Sequence, residues 1–220
     1  MLKIDDSDII VINPPAAVSG SIIWLHGLGA DGNDFVPVAR QLANLNLRFV
    51  FPNAPMRPVT VNGGFVMRAW YDIISAQVDS HADEKGCTES VSAIRDLVAR
   101  EIAGGIPANK IILAGFSQGA VISLLTGLTH PEKLGGIIAL SGYLPDPEKT
   151  LREAPAANRT TPIFLGHGTD DDLVPVSLGI RVSEALQKAK HPVSWHAYPI
   201  GHSVCMEEIL DISAWLTKHV

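Results

Sequence analysis

Residues 111–128 read IILAGFSQGAVISLLTGL, a continuous apolar run, a Gly-x-Ser-x-Gly turn, and then apolar residues at helical spacing. Ile111–Gly115 predicts a buried strand, and Ala120, Val121, Leu124, Leu125 and Leu128 recur as on a helix face. Between them Gly115-Phe116-Ser117-Gln118-Gly119 closes a sharp turn. Such a turn lifts a serine hydroxyl above the sheet edge, and a glycine on each side lets strand and helix approach closely. It also aims the unpaired N–H groups of the helix at any oxyanion formed beside that hydroxyl. The pattern alone is weak, because a glycine-rich turn with Ser117 as an ordinary helix cap carries the same letters. The rest of the chain has to decide between the two.

The surrounding segments alternate. Strands are predicted at Ile9–Ile12, Ser21–His26, Leu47–Pro52, Ile111–Gly115, Gly136–Leu140, Pro162–His167 and Val193–Tyr198. Helices are predicted at Asp34–Leu45, Thr88–Ala103, Gln118–Thr129, Val176–Ala189 and Cys205–Lys218. This succession is that of an α/β fold, a mostly parallel central sheet with helices on both faces. Ile9–Ile12 and Ser21–His26 are too close in sequence for a crossover helix, so an antiparallel pair is expected there. The stretch Asn53–Gly86 is the least regular, and its cluster from Phe65 to Asp72 is aromatic and aliphatic enough to pack onto something.

With 220 residues, 46 % of them hydrophobic and 18 % charged, the chain is expected to form one domain over residues 1–220. A net charge of −6 offers no basic footprint, so nucleic acid is not an expected partner. The N-terminal MLKIDDSDIIVINPP is acidic where a signal peptide is basic, and no apolar run reaches membrane-spanning length. Two cysteines, Cys87 and Cys205, make no disulfide framework and suit a reducing compartment. A cytoplasmic location without membrane insertion is therefore expected.

A serine nucleophile needs a base, and the base needs an acid to orient it. In α/β-hydrolases these follow in the order nucleophile, acid, histidine, each on a loop after a strand. The loop after Pro162–His167 carries Asp170-Asp171-Asp172, and the loop after Val193–Tyr198 carries His202. His196 competes as base but lies within a strand, and His167, His191 and His219 stand out of order or in the wrong kind of segment. Successive side chains in a turn point apart, so one of the three aspartates is the acid, and the residues alone leave open which. Three adjacent acids also suit a hard cation, but no second acidic cluster completes a ligand set. The early stretch IIWLHGLGADG (22–32) ends a strand in His26-Gly27-Leu28-Gly29. Its backbone N–H at Leu28, with that of Gln118, is a candidate oxyanion donor. It matches neither G-x-G-x-x-G nor a phosphate loop.

Taken together, the chain resembles the phospholipase/carboxylesterase family of α/β-hydrolases. The resemblance lies in LHGLGADGNDF (25–35), FPNAPMRPVTVNGG (51–64), MRAWYDI (67–73), AGFSQGAVISL (114–124), LSGYLP (140–145), HGTDDDLVP (167–175) and GHSVC (201–205). It implies an α/β-hydrolase fold with little or no lid, Ser117 as nucleophile, His202 as base, and Leu28 and Gln118 as oxyanion-hole residues. Registering the acid loop on Leu173-Val174-Pro175 implies Asp171 as the acid. It further implies no cofactor and no metal, an ester or thioester substrate that includes acylated lipids or proteins, and a homodimer.

The expected reaction is acyl transfer to water through an acyl-enzyme, giving a carboxylesterase for short-to-medium acyl chains. An acyl-protein thioesterase or lysophospholipase acting on longer chains is the alternative, since an acyl-serine forms from esters and thioesters alike. A non-catalytic binding protein on the hydrolase fold would lack one of the three residues. A peptidase of this fold needs room for a larger lid or propeller, and a dienelactone hydrolase uses cysteine where this chain has Ser117. Phe65, Trp70 and Tyr71 are expected either to line an acyl-chain channel or to fill the core.

Overall fold

The computed structural model describes residues 2–75 and 83–220. Its strands are β1 (Ile9–Ile12), β2 (Gly20–Leu25), β3 (Leu47–Pro52), β4 (Met56–Val59), β5 (Phe65–Arg68), β6 (Ile111–Phe116), β7 (Gly136–Leu140), β8 (Ile163–Gly168) and β9 (Val193–Tyr198). The α-helices are α1 (Val36–Gln41), α2 (Glu84–Ala103), α3 (Gln118–Thr129), α4 (Pro147–Glu153), α5 (Val176–Lys188) and α6 (Met206–His219). A seven-stranded sheet runs in the order β1-β3-β2-β6-β7-β8-β9, parallel throughout except at β1. This is the expected α/β-hydrolase architecture.

One pairing differs from expectation. β1 is antiparallel to β3, with Ile10 opposite Phe51, and β2 lies on the far side of β3. Burial explains the choice. Every residue of β2 is buried and needs a neighbour on both edges, whereas β1 exposes Val11 and suits the rim.

Alternate residues of each central strand feed opposite layers, as the two-residue strand period requires. Ile23 and Leu25 of β2, with Ile111 and Leu113 of β6, pack against α2 and α3. Ile22 and Trp24, with Ile112 and Ala114, pack against α1 and α6. No helix among the described residues is long and apolar enough to cross a membrane. Cys87 and Cys205 are both free thiols.

Three elements escaped the sequence reading. β4 and β5 form a separate two-stranded hairpin with Arg57 opposite Met67, inside the stretch read as irregular. Pro58 and the exposure of Met56, Phe65 and Val66 remove the alternation that would have marked it. Residues 76–82 of that stretch lie outside the described residues. The short α4 is signalled only by its ends, Asp146 accepting from the Lys149 N–H at 2.8 Å and Pro147 in the first turn. At α1 the helix stops at Gln41 and finishes as a 3-10 turn, closed by Asn46 in the left-handed region at φ 53°.

Candidate active site

The loops that follow β2, β6, β8 and β9 meet above the carboxyl edge of the sheet. Ser117 sits between β6 and α3 at φ 54° and ψ −119°, a conformation costly for a residue with a side chain. Its N–H donates to the Leu140 carbonyl at 2.9 Å, which pins the turn to β7. The flanking glycines are required by contact. A Cβ on Gly115 would overlap the backbone at Gly119 and stand 2.7 Å from the Ala120 nitrogen. A Cβ on Gly119 would overlap the Leu25 carbonyl and stand 2.7 Å from that of His26. α3 therefore begins directly against the end of β2. The Ser117 hydroxyl makes no capping bond to α3, so it is not an ordinary N-cap.

That hydroxyl faces His202 instead, with Oγ and Nε2 2.9 Å apart. The other ring nitrogen, Nδ1, lies 2.7 Å from Oδ2 of Asp171. A carboxylate there accepts a hydrogen bond from Nδ1–H, which leaves the Nε2 lone pair toward Ser117. The Phe116 ring lies 4.7 Å from the imidazole, centroid to centroid, and limits its rotation.

The structure also separates the three aspartates. The Asp171 side chain is fully buried, while Asp170 and Asp172 are exposed. Asp171 Oδ1 accepts the N–H groups of Leu173 at 3.1 Å and Val174 at 2.8 Å, leaving Oδ2 for His202. The acid loop is fastened to the histidine loop by its backbone. Thr169 N–H donates to the Tyr198 carbonyl at 2.7 Å, and Asp170 N–H donates to that of Ile200 at 3.0 Å. Among the described residues no group of three or more His, Cys, Asp or Glu side chains is arranged to hold a metal ion.

His167, set aside on chain order, sits behind Asp171 with Nε2 3.7 Å from its Oδ2. Its Nε2–H donates to the Val174 carbonyl at 2.8 Å, and burial pushes its pKa down. It braces the acid loop without reaching Ser117. No sequence motif announces this, because β8 simply ends there.

A cleft of about 480 Å³ opens beside Ser117, lined by Gly27, Leu28, Val61, Ile73, Leu173 and Val174 among others. Trp70, Tyr71 and Phe65 do not line it. Trp70 is fully buried, Tyr71 is 2 % exposed with its hydroxyl 3.1 Å from that of Tyr143, and Phe65 is 67 % exposed on the hairpin. Trp70 and Tyr71 thus lie in the core, and Phe65 faces outward. The sequence reading missed Val61, Ile73, Leu173 and Val174, whose apolar character alone does not separate cleft wall from core.

A family model described as Phospholipase/Carboxylesterase matches residues 7–220. The chain belongs to the phospholipase/carboxylesterase family. Members similar to it include the acyl-protein thioesterase 1 of Yarrowia lipolytica, 40 % identical over 93 % of this chain and 94 % of that one. Among solved structures, Arabidopsis thaliana SOBER1 superposes with a TM-score of 0.86 at 34 % identity, over 91 % of this chain and 98 % of that one. Zea mays acyl-protein thioesterase 2 gives 0.83 at 30 % identity, covering 96 % and 98 %. Like its family, the protein is a hydrolase.

Proposed function

We propose that the protein is a serine hydrolase that cleaves carboxylic esters of short-to-medium acyl chains through an acyl-enzyme. The observation that carries this reading is the chain of hydrogen bonds Ser117–His202–Asp171 at the mouth of an apolar cleft. His202 takes the Ser117 proton as Oγ attacks the carbonyl carbon, and Asp171 stabilises the imidazolium that results. The N–H groups of Leu28 and Gln118 receive the developing oxyanion. Gln118 is the first residue of α3, so its N–H has no partner within the helix. Collapse of the tetrahedral intermediate expels the alcohol with a proton from His202. Water then repeats the sequence on the acyl-serine and releases the acid.

The cleft volume is within the range of about 300–1,000 Å³ usual for small-molecule sites, and its apolar lining suits an acyl chain. A thioester substrate is the second reading, favoured by relatives that carry the name acyl-protein thioesterase. The test is hydrolysis of p-nitrophenyl esters from acetate to palmitate, alongside a palmitoyl thioester, with Ser117→Ala as control. Activity on short esters that the variant loses supports the esterase. Preference for the thioester supports the second reading, and unchanged activity in the variant rejects Ser117.

A further inference from the structure

The two backbone donors assigned above come from elements far apart in sequence, and something must fix them relative to one another. We propose that Trp70 is the positioning residue that holds the Leu28 and Gln118 N–H groups in register, an inference that rests on the serine hydrolase reading. Its indole Nε1–H donates to the His26 carbonyl at 2.9 Å, and its backbone N–H donates to Gln118 Oε1 at 3.0 Å. Gln118 Nε2–H closes the ring by donating to the Tyr71 carbonyl at 2.9 Å. On the other side the Trp70 carbonyl accepts from Ser90 Oγ, which anchors the strut to α2.

The effect reaches Leu28 through the peptide planes. The Leu28 N–H belongs to the same rigid plane as the Gly27 carbonyl and points opposite to it, so fixing one fixes the other. The Gly27 carbonyl accepts from His26 Nδ1 at 2.7 Å, while His26 Nε2 accepts the Ala54 N–H at 3.0 Å. This pairing requires a neutral imidazole, and burial pushes the His26 pKa down accordingly. The imidazole lies 5.4 Å from the Trp70 ring, centroid to centroid. Trp70 thus holds His26 by its carbonyl and by its ring, and His26 holds the Gly27–Leu28 peptide. Trp70, His26, Gln118 and Ser90 are all buried, so water does not replace a bond that is lost.

Oxyanion donors act in the transition state and little in the ground state, so their misplacement lowers kcat while sparing KM. Trp70→Phe keeps a ring and the backbone bond to Gln118 but removes the indole donor. The expected result is a kcat lower by about 10- to 100-fold with KM within about twofold. Affinity for a trifluoromethyl ketone, which forms an oxyanion on Ser117, falls in step with kcat/KM. Trp24→Phe, in the other core layer, serves as control and keeps kcat, because its indole nitrogen has no hydrogen-bond partner among the described residues. If Trp70→Phe does not fold, Gln118→Met decides. It deletes the side-chain bonds to residues 70 and 71 but keeps the backbone N–H, and the same kcat loss is expected. Unchanged kcat, or a raised KM with kcat preserved, overturns the proposal. Labelling of wild-type Ser117 by a fluorophosphonate separates this from failure of the hydrolase reading, which would leave wild type unlabelled.

Discussion

His202 Nε2 stands 2.9 Å from Ser117 Oγ although 85 positions separate the two residues. The contact exists because β6 and β9 end at the same edge of one parallel sheet and each releases its loop there. On the far side of the ring, Asp171 fixes the tautomer that leaves Nε2 unprotonated. The consequences can be measured.

Asp171→Asn is expected to lower kcat on the scale of the ~10⁴-fold loss known for replacing the acid of such a triad. Asp170→Asn and Asp172→Asn, both exposed, are expected to stay within about threefold of wild type. Steady-state kinetics on one p-nitrophenyl ester suffices. A severe loss at either neighbour and a mild one at Asp171 would show that the burial pattern does not identify the acid.

Gly119→Ala forces a Cβ into the carbonyl oxygens that end β2. Such overpacking against backbone costs about 3 kcal/mol or more, which lowers Tm by roughly 6–12 °C in a chain of this size. Thermal unfolding followed by circular dichroism tests it. A variant that melts with wild type would mean that α3 shifts freely against β2.

Ile73→Trp narrows the cleft beside Ser117 and should move the chain-length optimum toward acetate. Phe65→Ala, on the exposed hairpin, should leave that optimum where it is. The ratio of kcat/KM for acetate and decanoate esters measures both. A shift caused by Phe65→Ala alone would return the acyl channel to the hairpin.

Glu208, in the first turn of α6, is 2 % exposed, and burial pushes its carboxyl up to about 8. A raised folded-state pKa means that the native protein holds this proton more tightly than the unfolded chain does. The stabilisation is therefore complete below the ordinary glutamate range and is lost as pH rises through about 8. Glu208→Gln keeps an acceptor for the Cys205 backbone N–H and removes the titration. Its Tm is expected to decline less than that of wild type between pH 5 and pH 9, as melts across that range would reveal (the interval being about that over which the group titrates). Parallel Tm curves for the two proteins would exclude Glu208 as the titrating group.

Much of this was legible in the sequence, because it is local. The strand-turn-helix of residues 111–128 follows from apolar periodicity and from two glycines whose contacts allow no side chain. The order of Ser117, the aspartate loop and His202 along the chain follows from the placement of loops after parallel strands. What needed the tertiary structure was every choice among chemically equal neighbours. Asp170, Asp171 and Asp172 differ only in which way each points, which the backbone bonds to Leu173 and Val174 decide. Trp70 and Val61 are both apolar, yet one is sealed in the core and the other lines the cleft. β1 joined β3 rather than β2 because burial on both edges of β2 is a property of the assembled sheet. Periodicity and glycine act within a few residues, so the strands of the main sheet and the longer helices, with their order, were readable from the chain alone, whereas the β4–β5 hairpin and α4 were not. Direction, burial and pairing depend on atoms brought from elsewhere in the chain, and only the folded arrangement supplies them.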